Sequence, residues 1–201
     1  MNTMGLTQQQ IAAIVVIVLI VIAIVIIVAA WRKSRTMRLR RKFGEAEYER
    51  AVAESGGRTR AEAHLEDRAK RVSSFRLRSL SVDDRARFQN AWASVQAHFV
   101  DGPTGAVMEA DRLLGDVMVA RGYPLSDFET RAADVSVDHP RVVQNYRAGH
   151  EIAARQLRGQ ASTEDLRRAM IHYRALFEDL IAEPSTADAL AADDYRSRRA
   201  S

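Results

Sequence analysis

The chain has 201 residues, 47% of them apolar, with 30 basic against 26 acidic side chains and no cysteine. The missing cysteine excludes a disulfide framework, a thiolate metal site and a cysteine nucleophile. Residues 11–30 carry no charged or polar side chain, which excludes a single soluble domain and leaves about 170 residues for a folded body.

The charge is equally local. Arg32, Lys33, Arg35, Arg38, Arg40, Arg41 and Lys42 form one cluster free of acids, and without these seven the chain has 23 basic residues against 26 acidic. A slightly acidic body is a poor electrostatic match for a phosphate backbone, so nucleic acid is not an expected partner of the body. Tethering of nucleic acid by the basic flank alone is the weakest of the readings.

Residues 1–10 are a short segment without an ionisable side chain. A helix of twenty residues then rises about 30 Å, the thickness of a bilayer's hydrocarbon core. From Ile11 to Val28, fourteen of eighteen residues are Ile or Val. Such a run favours strand in water, but a single span in lipid must satisfy its backbone within one helix. The prediction is a transmembrane helix over 11–31. Trp31 suits the headgroup layer, and Arg32, Lys33, Arg35, Arg38, Arg40, Arg41 and Lys42 mark the interface a second time.

This asymmetry places the amino terminus outside and the rest of the chain at the cytoplasmic face of an inner (plasma) membrane. The competing reading is a cleaved secretory signal ending near Val28-Ala29-Ala30. An uncharged amino terminus and an apolar run longer than a usual signal core argue against it. With no polar group at membrane depth, the span anchors rather than transports. Anionic lipids of the inner leaflet are the expected partners, each nearby Lys or Arg adding about 1 kcal/mol of attraction. Ala12, Ala13 and Ala23 allow a homo-oligomer through close helix packing.

The juxtamembrane helix and hinge cover 32–58, with Phe43 to Glu54 helical and Gly56-Gly57 as the bend. A helical bundle is expected over 59–184. Thr59-Arg-Ala-Glu62 has capping-box spacing, and Ala61, Leu65, Ala69 and Val72 make a thin stripe that suits a surface helix. Ser73 to Leu80 reads as a connector. Ser81-Val-Asp-Asp84 caps a helix with Phe88, Trp92, Val95 and Phe99 on one face. Asp101-Gly102-Pro103 breaks it, and Val107, Ala110, Leu114, Val117 and Met118 continue the pattern until Gly122-Tyr123-Pro124.

Ser126-Asp-Phe-Glu129 predicts a capping box on a helix of two turns. Asp138-His139-Pro140 opens a longer one, with Val143, Tyr146, His150, Ala153 and Leu157 on its inner face until Gly159. Ser162 to Asp165 caps the last helix, where Leu166, Met170, Tyr173, Phe177 and Leu180 face inward until Pro184. With no strand-like alternation the fold class is all-α. Residues 185–201, small and charged apart from Leu190 and Tyr195, predict a disordered tail.

Catalytic motifs are missing: there is no His-Glu-x-x-His, Gly-x-Ser-x-Gly, phosphate-binding glycine loop or calcium-loop spacing. No cofactor or metal is therefore expected. His64, His98 and His139 read as surface or helix-end residues. His150 and His172 fall beside the buried-face tyrosines Tyr146 and Tyr173, and these four are the candidates for a pocket or proton-transfer pair. The leading functional expectation is a non-enzymatic scaffold with an unidentified protein partner. The alternative is a membrane-tethered enzyme or small-ligand domain built on those four residues.

Phe99-Val-Asp-Gly-Pro103, Arg121-Gly-Tyr-Pro124, Val137-Asp-His-Pro140 with Tyr146, and Thr163-Glu-Asp-Leu-Arg167 followed by His172-Tyr-Arg174 are shared features of another kind. Through them the segment from Trp92 to Leu180 resembles a family of uncharacterised bacterial helical, often membrane-anchored proteins. The resemblance covers slightly under half of the chain. It implies a helical domain of bacterial source and carries no activity, ligand or catalytic residue.

Overall fold

A computed structural model describes residues 8–182, with side chains from residue 17 onward. The tail expected at 185–201 and the small residues Ala12 and Ala13 fall outside the described residues or side chains. The fold is all-α, with seven helices and no strand among the described residues. Its first helix, α1 (Gln8–Ser55), contains the one stretch among the described residues long and apolar enough to cross a membrane. Every large apolar side chain from Ile17 to Val28 is exposed, the lowest being Val28 at 44%. None of that surface is spent on the protein's own core.

After Trp31 the same helix changes partners, and Leu39, Phe43, Tyr48 and Ala51 are buried. The chain bends between them at Gly44, whose φ of 76° and ψ of 161° fall in a region open essentially to glycine alone. The bend is sharp. Thr36 and Tyr48 donate to the same Glu62 oxygen at 2.5 and 3.0 Å, whereas twelve residues of straight helix would separate their backbones by about 18 Å.

Helix α2 (Arg58–Ser73) packs into this fold-back. Its stripe of Ala61, Leu65 and Val72 is buried with the α1 residues and Val137, so the helix is a core element rather than a surface one. The apolar stripe is as thin as the sequence indicates, but two segments of α1 close over it. The capping box expected at Thr59 is not formed: the cap is Gly57, without a side-chain bond. Glu62 is instead held by Thr36 and Tyr48.

A larger core joins α3 (Val82–Asp101), α4 (Pro103–Ala120), α5 (Phe128–Asp138), α6 (Val143–Gln156) and α7 (Thr163–Ile181). Ser81 caps α3, Pro103 opens α4 and the Ser162–Asp165 capping box starts α7, as the sequence predicts. Trp92 stacks on Phe177, ring centroids 4.7 Å apart and planes 15° from parallel. The five inward positions of α7 are all buried.

Two helices depart from expectation. The α5 cap is Asp127, which accepts from the Thr130 amide, and the helix runs eleven residues to Asp138. Asp138 therefore ends one helix instead of opening the next, and accepts from the Tyr123 hydroxyl. Helix α6 buries Val143, Tyr146, Gly149 and Ile152, which leaves Leu157 74% exposed. Gly149 does not register in an apolar pattern, so the face read from bulky residues is rotated.

Ion pairs fasten the small core to the large one. Glu47 of α1 accepts from Arg68 of α2 at 2.7 Å and from Arg147 of α6 at 3.1 Å, and its other oxygen accepts from Gln144 at 3.2 Å. Arg71 of α2 donates to Asp134 of α5 at 2.5 and 3.0 Å. Phe75 in the connector packs against both cores. The apolar helix thus continues without a loop into a body fixed by packing and charge.

Candidate functional site

Three of the four candidate pocket residues converge. Tyr146 and Tyr173 are fully buried, their rings 6.2 Å apart, and His150 lies one turn after Tyr146 on α6. The residue that joins them is Asp111 of α4, with an oxygen 3.7 Å from His150 Nδ1. That separation suits an ion pair but exceeds a hydrogen bond. Phe128 covers the imidazole, stacked 3.5 Å away and 7° from parallel. Tyr146 Oη, Tyr173 Oη, His150 Nδ1 and one Asp111 oxygen are buried with no hydrogen-bond partner among the described residues.

The electrostatics follow from this crowding. Burial pushes the Asp111 carboxyl up, but the contact with and charge of His150, helped by Tyr173 and Arg131, together hold it below its ordinary value. Burial, reinforced by the Asp111 charge, pushes both Tyr146 and Tyr173 far above a normal phenol. The tyrosines are therefore held as neutral phenols, and Asp111 is the ionised group at the centre of the cluster. Asp111 and His150 keep 26% and 35% of their side chains accessible, although the two atoms that face each other are buried.

A depressed aspartate stabilises the fold above the pKa it has when unfolded, and this contribution is lost as pH falls through the lower folded value. Asp111→Asn is therefore expected to destabilise the body at neutral pH and to flatten the loss of stability below about pH 4. Thermal melts of both proteins from pH 7 to 3 check it. Parallel wild-type and variant profiles would contradict the ion pair.

His172 does not join this cluster. Its Nδ1 pairs with Asn145 Oδ1 at 3.0 Å. His139 pairs with Asp179 at 2.5 Å and His98 with Glu109 at 3.1 Å. His64 sits on the rim of a cleft of about 440 Å³ whose arginines Arg68, Arg71 and Arg147 are already paired with acids. Among the described residues no group of three potential metal ligands converges.

The basic flank divides into two sets. Arg35 is bidentate to Glu66 at 2.7 Å, and Arg40 reaches Glu45 at 2.5 Å and Glu49 at 2.8 Å, so both are committed to the body. Arg38 is exposed with Glu66 at 3.8 Å. Arg32, Lys33, Arg41 and Lys42 are exposed and make no ion pair within the described residues, and Trp31 is 78% exposed. The sequence reading misses Asp111, because one acid beside the apolar face of α4 looks like any solvated carboxylate.

No protein family, curated protein or solved structure matches the chain. The likeness noted for residues 92–180 thus brings no functional residue to these positions.

Proposed function

We propose that the chain is a single-pass membrane protein, amino terminus outside, whose helical body is held at the cytoplasmic face of the inner membrane as a non-enzymatic interaction module. The observation that carries this reading is the division of α1: exposed apolar side chains up to Val28, then Leu39 and Phe43 buried in the body. An exposed apolar face of that length is strongly unfavourable in water and favourable in a hydrocarbon core. Because the same helix enters the core of the body, the anchor also sets the body's height and orientation at the membrane. Lys33, Arg41 and Lys42, free of acid partners, add attraction to an anionic leaflet.

An interaction role has support in the apolar residues displayed by the body, among them Ile171 on α7 and Leu157 after α6. Photo-crosslinkers placed at these positions in intact membranes are expected to give a discrete protein adduct. Adducts with lipid alone would overturn the module reading. A second reading, a tethered enzyme or small-ligand domain, draws on the unmet polar atoms around Asp111, His150, Tyr146 and Tyr173. It predicts ligand-induced stabilisation that His150→Ala removes without unfolding the body.

A further inference from the structure

We infer that a groove between the end of the apolar helix and the start of α2 binds the phosphate group of an anionic phospholipid. This rests on the membrane reading above and adds a built site to it. The groove is a cavity of about 660 Å³ lined from α1 by Ala29, Arg32 and Lys33, and from α2 by Arg58 and Thr59. Two segments far apart in sequence meet there because of the bend at Gly44. The chain leaves the apolar stretch, turns back along residues 45–55, and begins α2 beside the turn where the apolar run ends.

The chemistry matches a phosphate diester. Arg35 and Arg40, which also line the groove, are taken by Glu66, Glu45 and Glu49, whereas Arg32, Lys33 and Arg58 have no acidic partner within the described residues. Glu62 is the acid in the lining, and one of its oxygens already accepts from two hydroxyls while the other lies 3.9 Å from Arg35. Guanidinium groups bind phosphate oxygens in a fork and lysine adds a point charge. Helix α2 starts after Gly57 without a side-chain cap, and its first two residues, Arg58 and Thr59, line the groove, so the positive pole of the helix dipole lies at this lining.

Size and position favour a lipid over a free ion. The volume falls in the range of sites for organic ligands, well above the needs of one phosphate. Ala29 belongs to the apolar run, and the exposed side chains from Val28 back to Ile17 offer a continuous surface for acyl chains. A generic basic flank predicts attraction in proportion to charge. A groove predicts that Arg58, remote from the flank in sequence, matters more than charges outside the lining.

The test uses the full chain in detergent, incubated with equal dioleoyl phosphatidylglycerol and dioleoyl phosphatidylcholine and weighed intact with its bound lipid. The expected result is preferential retention of phosphatidylglycerol, reduced at least about fivefold by Lys33→Gln with Arg58→Gln. Arg41→Gln with Lys42→Gln removes the same charge outside the lining and is expected to change retention less than about twofold. Equal losses from the two pairs would overturn the groove and leave the membrane reading standing. Displacement of the lipid by inorganic phosphate, with the same variant dependence, would overturn a lipid occupant. Release of the chain from membranes by alkaline wash would instead remove the membrane reading, and the groove's assignment with it.

Discussion

Glu47→Ala is expected to destabilise the body by about 3–5 kcal/mol, the cost of breaking a buried ion pair from one side. Glu47 is 2% exposed and accepts from Arg68 and Arg147, whose side chains are 16% and 9% exposed. Alanine would leave a hole beside both guanidinium groups, with Arg68 still bonded to Ser136 at 3.1 Å and Arg147 to the exposed Glu129 at 3.0 Å. For a domain of this size the cost corresponds to a fall in melting temperature of about 6–20 °C. Glu47→Gln keeps the shape and one acceptor, so its effect is expected to be smaller. Because this carboxylate joins α1 and α2 to α6, the alanine variant should also lose coincidence between the unfolding of the small and large cores. Circular dichroism melts check the first point and hydrogen exchange the second. A change below about 1 kcal/mol would mean that Glu47 is solvated and the two cores are not clamped.

Gly149→Ala is expected to have the opposite sign from an ordinary helix substitution. Alanine is favoured over glycine in a helix interior by about 1 kcal/mol. At Gly149, however, an added Cβ would lie 2.6 Å from Tyr173 Cε1 and 2.7 Å from Cδ1. Tyr173 is fully buried, so its ring has nowhere to swing, and overpacking of this kind costs about 1–3 kcal/mol. The net expectation is destabilisation, with the Tyr173 hydroxyl pushed off its place beside Asp111. Gly105→Ala is the control, since a Cβ there meets nothing within 4 Å and the residue is exposed on α4. It is expected to stabilise slightly. Unfolding of both variants in urea decides the matter, and stabilisation by both would contradict the close approach of α6 and α7.

Much of the large core is legible in the sequence because local signals and tertiary demands agree there. Ser162 with Asp165, Pro103, and the spacing of Leu166, Met170, Tyr173 and Phe177 each specify the same α7 and α4 that the structure shows. The small core is harder to read. Gly44 stands as a lone glycine in a helical stretch, and nothing local distinguishes a tolerated glycine from one at a φ of 76°. Once the bend is missed, Leu39, Phe43 and Tyr48 have no visible partner, and Glu62 is read as a local cap instead of a long-range acceptor. His150 and His172 stand equal in sequence, each near a buried tyrosine. Only the packing of α4 against α6 and α7 brings Asp111 to the first and leaves Asn145 to the second.

The claim on which function depends is that residues 11–30 lie in lipid with the body on the cytoplasmic side. Since the chain contains no cysteine, a single introduced thiol reports its own compartment without background. Leu125, 86% exposed in the connector before α5, is the site of choice. In cells, Leu125→Cys is predicted to resist a membrane-impermeant maleimide until the membrane is opened, and then to label fully on protein that sediments with membranes. Labelling in intact cells would contradict the account, placing the body outside and removing the anionic leaflet from its reach.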